Sequence, residues 1–390
     1  MSPAPVLVTG PARSGTTLVA RMLDAHPRVA LASDPLFPLL RGAIGAILRE
    51  AAIPGIDPDG PIQDYHFADE RIRALDAVLG GSLDLPLDPA LLPGLRAAVA
   101  ARAAHEAPSL VPLAGRLAGE TWADAIRLAL GLVAEAAGGR PHAVGTKEVW
   151  TIDLLPALGR AFPEARFVVV LRDPRAIVAS LERLAASEPD QGAHALSYAR
   201  HWRKHVALLE RFQDDPLLAG RLAVVRYEDL VADPARGAAA LARIAGVAVD
   251  DAMLAAGGQR ANSSHGDGPG GIRPELAERW RTAIDPRAQA MVELTCGPEL
   301  GLWGYRHHPD AWRFQDVLAY LRELDRAPGS WRSDLGDPEL DLVHELRRRA
   351  LLQAAGTPEP AQIRRAFLFP EHWRRLRAAA SAGASAEEAR

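Results

Sequence analysis

The unbroken apolar run Phe-Val-Val-Val-Leu at residues 167–171 most strongly restricts what this chain can fold into. A strand directs its side chains alternately to its two faces, so a continuous apolar strand is buried on both. Shorter strands are predicted at residues 6–9, 29–32, 143–146 and 222–226, and helical stretches separate them. This alternation predicts an α/β fold with a doubly wound parallel sheet.

The length of 390 residues is more than one hydrophobic core fills, since single cores stop growing at about 250–300 residues. Residues 54–140, called the cap below, show no strand pattern and are rich in Ala and Leu, which predicts a helical insertion. After residue 305 the sequence becomes amphipathic and rich in Arg and Trp. We therefore predict a catalytic domain over residues 1–305 and a C-terminal helical extension over residues 306–390 with a frayed tail.

Composition limits the cellular compartment and the binding partners that fit this chain. The formal net charge of -4 argues against a nucleic-acid binder. Cys296 is the only cysteine, and no apolar run approaches the roughly 20 residues of a membrane span, so we expect a cytoplasmic protein without an integral membrane segment. The first residues lack the basic leader of a signal peptide. Histidines such as His26 lack the spacing of metal ligands, so no metal is expected.

A glycine loop joins the first strand to the first helix. It reads Gly10-Pro-Ala-Arg-Ser-Gly-Thr-Thr17 and has the glycine spacing of a phosphate-binding loop, in which backbone amides and a helix N-terminus surround a phosphate. Thr16 occupies the position of the lysine that nucleoside triphosphatases require. A nucleotide kinase or triphosphatase is therefore an alternative that lacks one essential residue.

The segment from Pro11 to Thr17 resembles the 5′-phosphosulfate loop of the PAPS-dependent sulfotransferase family, which reads Pro-X-Lys/Arg-Ser-Gly-Thr-Thr. PAPS is 3′-phosphoadenosine 5′-phosphosulfate. The resemblance implies a P-loop-like sulfotransferase fold and the transfer of a sulfuryl group to a hydroxyl or an amine. It also implies that Arg13 faces the sulfuryl group and the bridging oxygen. The 5′-phosphate would be held by Ser14, Gly15, Thr16 and Thr17.

Arg172, directly after the strand at residues 167–171, and Ser180, eight residues later, resemble the 3′-phosphate motif of this family. Pro174 is suited to a first helical turn, so Ser180 is predicted near the helix start, where its hydroxyl and the Arg172 guanidinium reach one phosphate. A capping ion pair between Arg172 and Asp173 is the alternative.

Two further segments resemble the family. Tyr227 begins a Tyr-Glu-Asp-Leu sequence, which implies a contact with adenine. Residues 261–264 and the sequence Gly270-Gly-Ile-Arg273-Pro resemble the late loop that closes over the nucleotide. Arg273 would add a second charge to the 3′-phosphate, although the arginine-lysine-glycine signature of the cytosolic members is absent.

The acceptor proton requires a base, and two carboxylates are candidates. Asp34 follows the second strand, where several family members carry a glutamate as base; its alternative role is to cap the helix predicted from Pro35. Glu148 follows Lys147 after the third predicted strand, where cytosolic members carry Lys-Thr-His with the lysine assisting the leaving phosphate. The alternative for Glu148 is an ion pair with Lys147 or with a surface arginine.

The acceptor has no motif in this sequence, and a carbohydrate, a lipid or a small metabolite each fits. Runs such as Arg347-Arg348-Arg349 are typical of solvated helix faces. The sequence is compatible with a homo-oligomer. Besides the kinase, the second alternative function is an inactive nucleotide-binding scaffold that kept the pocket while its helices bind a partner.

Overall fold

The structure is a computed structural model that describes residues 3–187, 195–255, 272–306, 312–326 and 337–388. The chain forms two compact units. The sheet unit consists of Met1–Gly60, Ala74–Arg172 and Phe212–Ala277, and the helical unit consists of Pro61–Arg73, Asp173–Arg211 and Glu278–Arg390. The predicted domain division at residue 305 stays a prediction.

A parallel sheet organises the sheet unit. The strands are β1 Ala4–Thr9, β2 Val29–Ser33, β3 Ala143–Lys147, β4 Arg166–Leu171 and β5 Leu222–Arg226. Their order in the sheet is β2-β3-β1-β4-β5, and every pair of neighbours is parallel. Because all strands point the same way, their carboxyl ends lie along one edge of the sheet.

Helices fill most of the remaining described chain. Short 3-10 helices occur at Pro89–Leu91, Pro108–Arg116 and Ile152–Leu154. The α-helices are, in chain order, α1 Thr16–Asp24, α2 Phe37–Ala51, α3 Asp69–Gly80, α4 Leu92–Glu106, α5 Trp122–Ala136, α6 Leu155–Ala161, α7 Pro174–Ser187, α8 Ala195–Gln213, α9 Tyr227–Ala232, α10 Pro234–Ala245, α11 Ala252–Ala255, α12 Glu275–Glu278, α13 Trp280–Ala283, α14 Pro286–Leu302, α15 Phe314–Arg326, α16 Pro338–Gln353, α17 Pro360–Phe367 and α18 Pro370–Glu388.

Both faces of the sheet are covered, as the apolar strands predict. Val6, Val8, Val168 and Val170 pack on one face in a cluster with residues of α1, α10 and α11. Leu7, between two of these valines, points to the opposite face and is also buried. Both faces are therefore buried, and the predicted α/β class with a doubly wound parallel sheet is confirmed.

The cap is helical, as predicted. Residues 54–140 are described throughout and contain α3, α4, α5 and two of the 3-10 helices, with one isolated bridge between Pro86 and Thr121. Helix α5 begins with a capping box, in which the Thr121 hydroxyl accepts from the Asp124 amide and the Asp124 carboxylate accepts from the Thr121 amide.

Buried ion pairs join helices within the helical unit. From α8, Arg200 pairs with Asp341 and Glu345 of α16 at 2.8 Å each, and Arg203 pairs with Glu345 at 2.6 Å. Arg348 is buried as well and pairs with Glu299. The prediction of a solvated face is therefore wrong for Arg348. No helix of the described chain is both long enough and apolar enough to cross a membrane.

Candidate functional site

The glycine loop lies at the carboxyl end of β1 and enters α1 at Thr16. The first amides of a helix lack intrahelical partners, so those of Thr16 and Thr17 are available to an anion. Gly15 has a φ of 98°, and a Cβ there would lie 2.4 Å from Cδ2 of Tyr227. A side chain at Gly10 would lie 2.4 Å from the carbonyl oxygen of Val170. The loop therefore needs glycine at both positions.

Two residues inside the loop carry the signs of a ligand site. Arg13 adopts a left-handed backbone with a φ of 67°, which is uncommon for residues other than glycine and recurs at ligand-binding turns. The Ser14 side chain is buried, and its hydroxyl has no hydrogen-bond partner in the described part of the chain. A buried hydroxyl without a partner is costly. A phosphate oxygen supplies the acceptor that this hydroxyl lacks, so the loop fits a nucleotide phosphate.

Arg172 and Tyr227 join this loop from the ends of β4 and β5. The Arg172 guanidinium carbon lies 4.3 Å from the centre of the Tyr227 ring. Its Nη1 donates to the Arg13 carbonyl at 3.2 Å, and its Nη2 donates to the Leu276 carbonyl at 3.3 Å. The residues predicted to hold the two ends of the nucleotide therefore contact one another.

The other residues predicted to bind the nucleotide, Ser180 and Arg273, lie on different segments of the chain. Burial raises the pKa of the Tyr227 hydroxyl, the charge of Arg172 opposes that rise, and the charges of Glu228 and Arg273 act in opposite directions. Residues 261–271 of the predicted late loop lie outside the described chain. Ser180 lies in α7 of the helical unit and is buried. Its pairing with Arg172 on one phosphate stays a prediction. Asp173 forms a bidentate pair with Arg175.

Asp34 and Lys147 form an ion pair at the carboxyl ends of β2 and β3. The Asp34 amide donates to the Lys147 carbonyl at 2.7 Å, and Asp34 has a left-handed φ of 59°. The lysine side chain is 3% exposed, whereas that of Asp34 is 21% exposed. Asp34 does not cap α2, because that helix begins at Phe37 and Leu36 is its N-cap residue. The capping alternative is therefore wrong.

Glu148 differs from Asp34 in exposure and charge. Glu148 is 1% exposed, and its Oε1 accepts hydrogen bonds from the Leu36 amide at 2.6 Å and from the Thr146 hydroxyl at 2.7 Å. Burial, followed by the charge of Asp34, raises the pKa of Glu148 to about 8. The carboxyl is therefore mainly protonated at neutral pH. The alternative of a simple ion pair with Lys147 or a surface arginine is wrong, since Lys147 pairs with Asp34 and Glu148 is buried among neutral donors.

One residue of the site carries no sequence signal. Arg102, in helix α4 of the cap, donates from Nε to the Asp34 carbonyl at 2.8 Å. Its guanidinium carbon also lies 5.0 Å from the centre of the Phe37 ring. Several arginines occur in this part of the sequence, and no local pattern distinguishes this one. The contact connects the cap directly to the turn that carries Asp34.

The arrangement has the parts of a group-transfer site for a nucleotide donor. A phosphate loop, an arginine stacked on a tyrosine, and a carboxylate paired with a buried lysine follow consecutive strands at one edge of the sheet. The model of the sulfotransferase family matches residues 5–251 of this sequence. The chain therefore belongs to the sulfotransferase family.

The individual relatives share only modest sequence identity with this chain. Human carbohydrate sulfotransferase 6 is 28% identical over 179 residues, which cover 39% of this chain and 45% of that protein. Carbohydrate sulfotransferase 5 of Mus musculus is 28% identical over 205 residues, which cover 45% of this chain and 51% of that protein. The chain thus spans about half the length of the curated relatives it matches. The sulfotransferase domain of the Synechococcus PCC 7002 olefin synthase aligns with 79% of this chain and 97% of its own, at 20% identity and a TM-score of 0.44.

Proposed function

We propose that this protein is a PAPS-dependent sulfotransferase that transfers the sulfuryl group to a hydroxyl of a carbohydrate. One observation carries the proposal. The Asp34–Lys147 ion pair lies at the same sheet edge as the contact between Arg13 and Arg172, so a base and a cation stand beside a phosphate loop. Family membership supports the type of reaction.

The donor is bound by charges at both of its phosphate ends. The amides that follow Ser14 and the Ser14 hydroxyl hold the 5′-phosphate, and Arg13 faces the sulfuryl group. Arg172 binds the 3′-phosphate, with Ser180 and Arg273 as further partners. Tyr227, which stacks on Arg172, takes the adenine. Charged hydrogen bonds to phosphate are about twice as strong as neutral ones, which favours a nucleotide with a 3′-phosphate.

Transfer is an in-line displacement at sulfur. The acceptor oxygen forms a bond to sulfur while the bond from sulfur to the bridging oxygen breaks, and 3′-phosphoadenosine 5′-phosphate leaves. Lys147 neutralises the negative charge that develops on the bridging oxygen, together with Arg13. Asp34 accepts the proton that the acceptor hydroxyl loses.

Asp34 suits the role of base better than Glu148. A base must come within hydrogen-bond reach of the acceptor, and the Asp34 side chain is 21% exposed whereas Glu148 is 1% exposed. Glu148 is also mainly protonated at neutral pH, since burial raises its pKa to about 8. We therefore assign the proton transfer to Asp34 and a supporting role to Glu148.

A carbohydrate acceptor is the class that the relatives favour, since both mammalian relatives are carbohydrate sulfotransferases by name. The cap lies close enough to the base to contact the acceptor and so determine its specificity, because α4 contacts the Asp34 turn. A cytoplasmic location belongs to the same proposal and rests on the single cysteine, which cannot form an internal disulfide. A metal-free reaction and a homo-oligomer stay predictions.

Two measurements test the function. Calorimetric titration compares 3′-phosphoadenosine 5′-phosphate with AMP, and we expect clearly tighter binding of the former. Incubation with ³⁵S-labelled PAPS and a panel of p-nitrophenyl glycosides should label at least one sugar. Equal affinity for the two nucleotides contradicts the 3′-phosphate site. Magnesium-dependent ATP turnover with no sulfuryl transfer would favour the kinase alternative, although Thr16 replaces the lysine that a kinase needs.

A further inference from the structure

The turn that carries Asp34 is held by three hydrogen bonds, two to the end of β3 and one from the cap. The Asp34 amide donates to the Lys147 carbonyl, the Leu36 amide donates to Glu148, and the Asp34 carbonyl accepts from Arg102 at 2.8 Å. The first two bonds connect the turn to the end of β3. The third comes from helix α4 of the cap.

The backbone of this turn needs such support. Asp34 has a left-handed φ of 59°, which is unfavourable for an aspartate and persists only where the surroundings fix it. Rotation of this backbone would move the carboxylate away from its position beside Lys147. The bond from Arg102 fixes the carbonyl of the same residue, and so it restricts that rotation.

We propose that Arg102 is a positioning residue, which holds the Asp34 carboxylate in the geometry for proton transfer and connects the cap to the base. This inference rests on the proposed function. Arg102 acts through the Asp34 backbone and makes no contact with the carboxylate in the described structure. Its guanidinium is also fixed by stacking at 5.0 Å from the Phe37 ring centre, on the first turn of α2.

Arg102 is exposed, so its removal should disturb the turn more than the fold. Correct placement of a reacting group matters strongly, since a misplacement of about 1 Å can cost about 100-fold in rate. We therefore expect Arg102→Ala to lower kcat by roughly 10–100-fold. The affinity for 3′-phosphoadenosine 5′-phosphate should stay unchanged, because Arg102 lies at the Asp34 turn and not at the phosphate loop.

Arg96 supplies a matched control in the same helix. Its Nε donates to the Leu117 carbonyl at 2.8 Å, which is the same type of bond made within the cap. Arg96→Ala therefore reports any general loosening of the cap. Turnover is measured with ³⁵S-labelled PAPS and the glycoside that the wild type labels best. Equal losses of kcat in both variants would overturn the proposal.

A double-mutant cycle separates positioning from a structural role. If Arg102 acts through the base, Arg102→Ala should have little further effect when Asp34→Asn has already removed the base. Full additivity of the two losses would overturn the proposal.

Amide exchange provides a readout that needs no activity. In the ligand-free protein, Arg102→Ala should speed hydrogen exchange at the Asp34 and Leu36 amides at least several-fold, and Arg96→Ala should not. Unchanged exchange would show that Arg102 does not hold the turn. A wild type that labels no acceptor would count against the proposed function alone, since exchange still tests the role of Arg102 in the turn.

Discussion

Replacement of Glu148 by Gln should make the protein more stable at alkaline pH than the wild type. Glu148 is buried, and burial raises its pKa to about 8 from an ordinary value of 4.5. Glutamine imitates the protonated carboxyl: its carbonyl accepts from Leu36 and Thr146 as Oε1 does. The variant therefore keeps these two hydrogen bonds and removes the titration, while its amide nitrogen replaces Oε2, which has no hydrogen-bond partner in the described chain.

The sign follows from the order in which the two states ionise. Below the unfolded pKa of 4.5 the carboxyl is protonated in both states, so its full contribution to stability is present. As pH rises, the unfolded state ionises first and gains stability, so the free energy of unfolding falls until the folded pKa is passed. One pKa unit corresponds to about 1.36 kcal/mol, so the wild type should lose a few kcal/mol relative to the variant between about pH 5 and about pH 8.

Urea unfolding at several pH values measures this difference directly. Glu164→Gln is the control, because it removes the same type of charge from an exposed position before β4, where a change within about 0.5 kcal/mol is expected at every pH. Infrared spectra should also show a protonated carboxyl at neutral pH that Glu148→Gln removes. Parallel stability curves for wild type and Glu148→Gln would refute the reasoning, because they would mean that Glu148 ionises normally in the folded protein.

Three further predictions concern the reaction. Asp34→Asn should lower kcat by about 10²–10⁴-fold while Glu148→Gln keeps near-normal turnover with labelled PAPS, and the reverse result would transfer the role of base to Glu148. Lys147→Ala should lower kcat with little change in calorimetric affinity for 3′-phosphoadenosine 5′-phosphate, because charge on the bridging oxygen develops in the transition state; a loss confined to affinity would contradict this. Arg172→Ala should weaken that nucleotide by about 2–4 kcal/mol and AMP by less, and equal losses would argue against the 3′-phosphate contact.

The strands were the most predictable part of the fold. Each predicted strand agrees with the structure within two residues at either end, as β4 at Arg166–Leu171 illustrates. A short run of apolar residues that must be buried on both faces fits few structures other than a central strand. The residue types at a few positions are therefore enough to predict such a strand. The glycine loop was predictable from its glycine spacing. The structure explains that spacing, since Gly15 lies too close to Tyr227 for any side chain.

The turn at Asp34 was not predictable in the same way. Asp followed by Pro before a helical stretch is typical of an N-cap, yet α2 begins two residues later than Pro35. The conformation depends on Glu148, which is distant in sequence, and on Arg102, which belongs to the cap. Arg348 illustrates the same limit, because only its distant partner Glu299 explains why it is buried.

The arginines of α8 have a practical consequence for work with shortened genes. A fragment that stops at residue 305 omits Asp341 and Glu345, the anions that neutralise Arg200 and Arg203 inside the helical unit. Loss of one partner from a buried ion pair costs about 3–5 kcal/mol, which is a large share of the stability of a typical domain. Such a fragment should misfold or aggregate even though it retains every proposed catalytic residue. Expression of the enzyme in active form should therefore require α16.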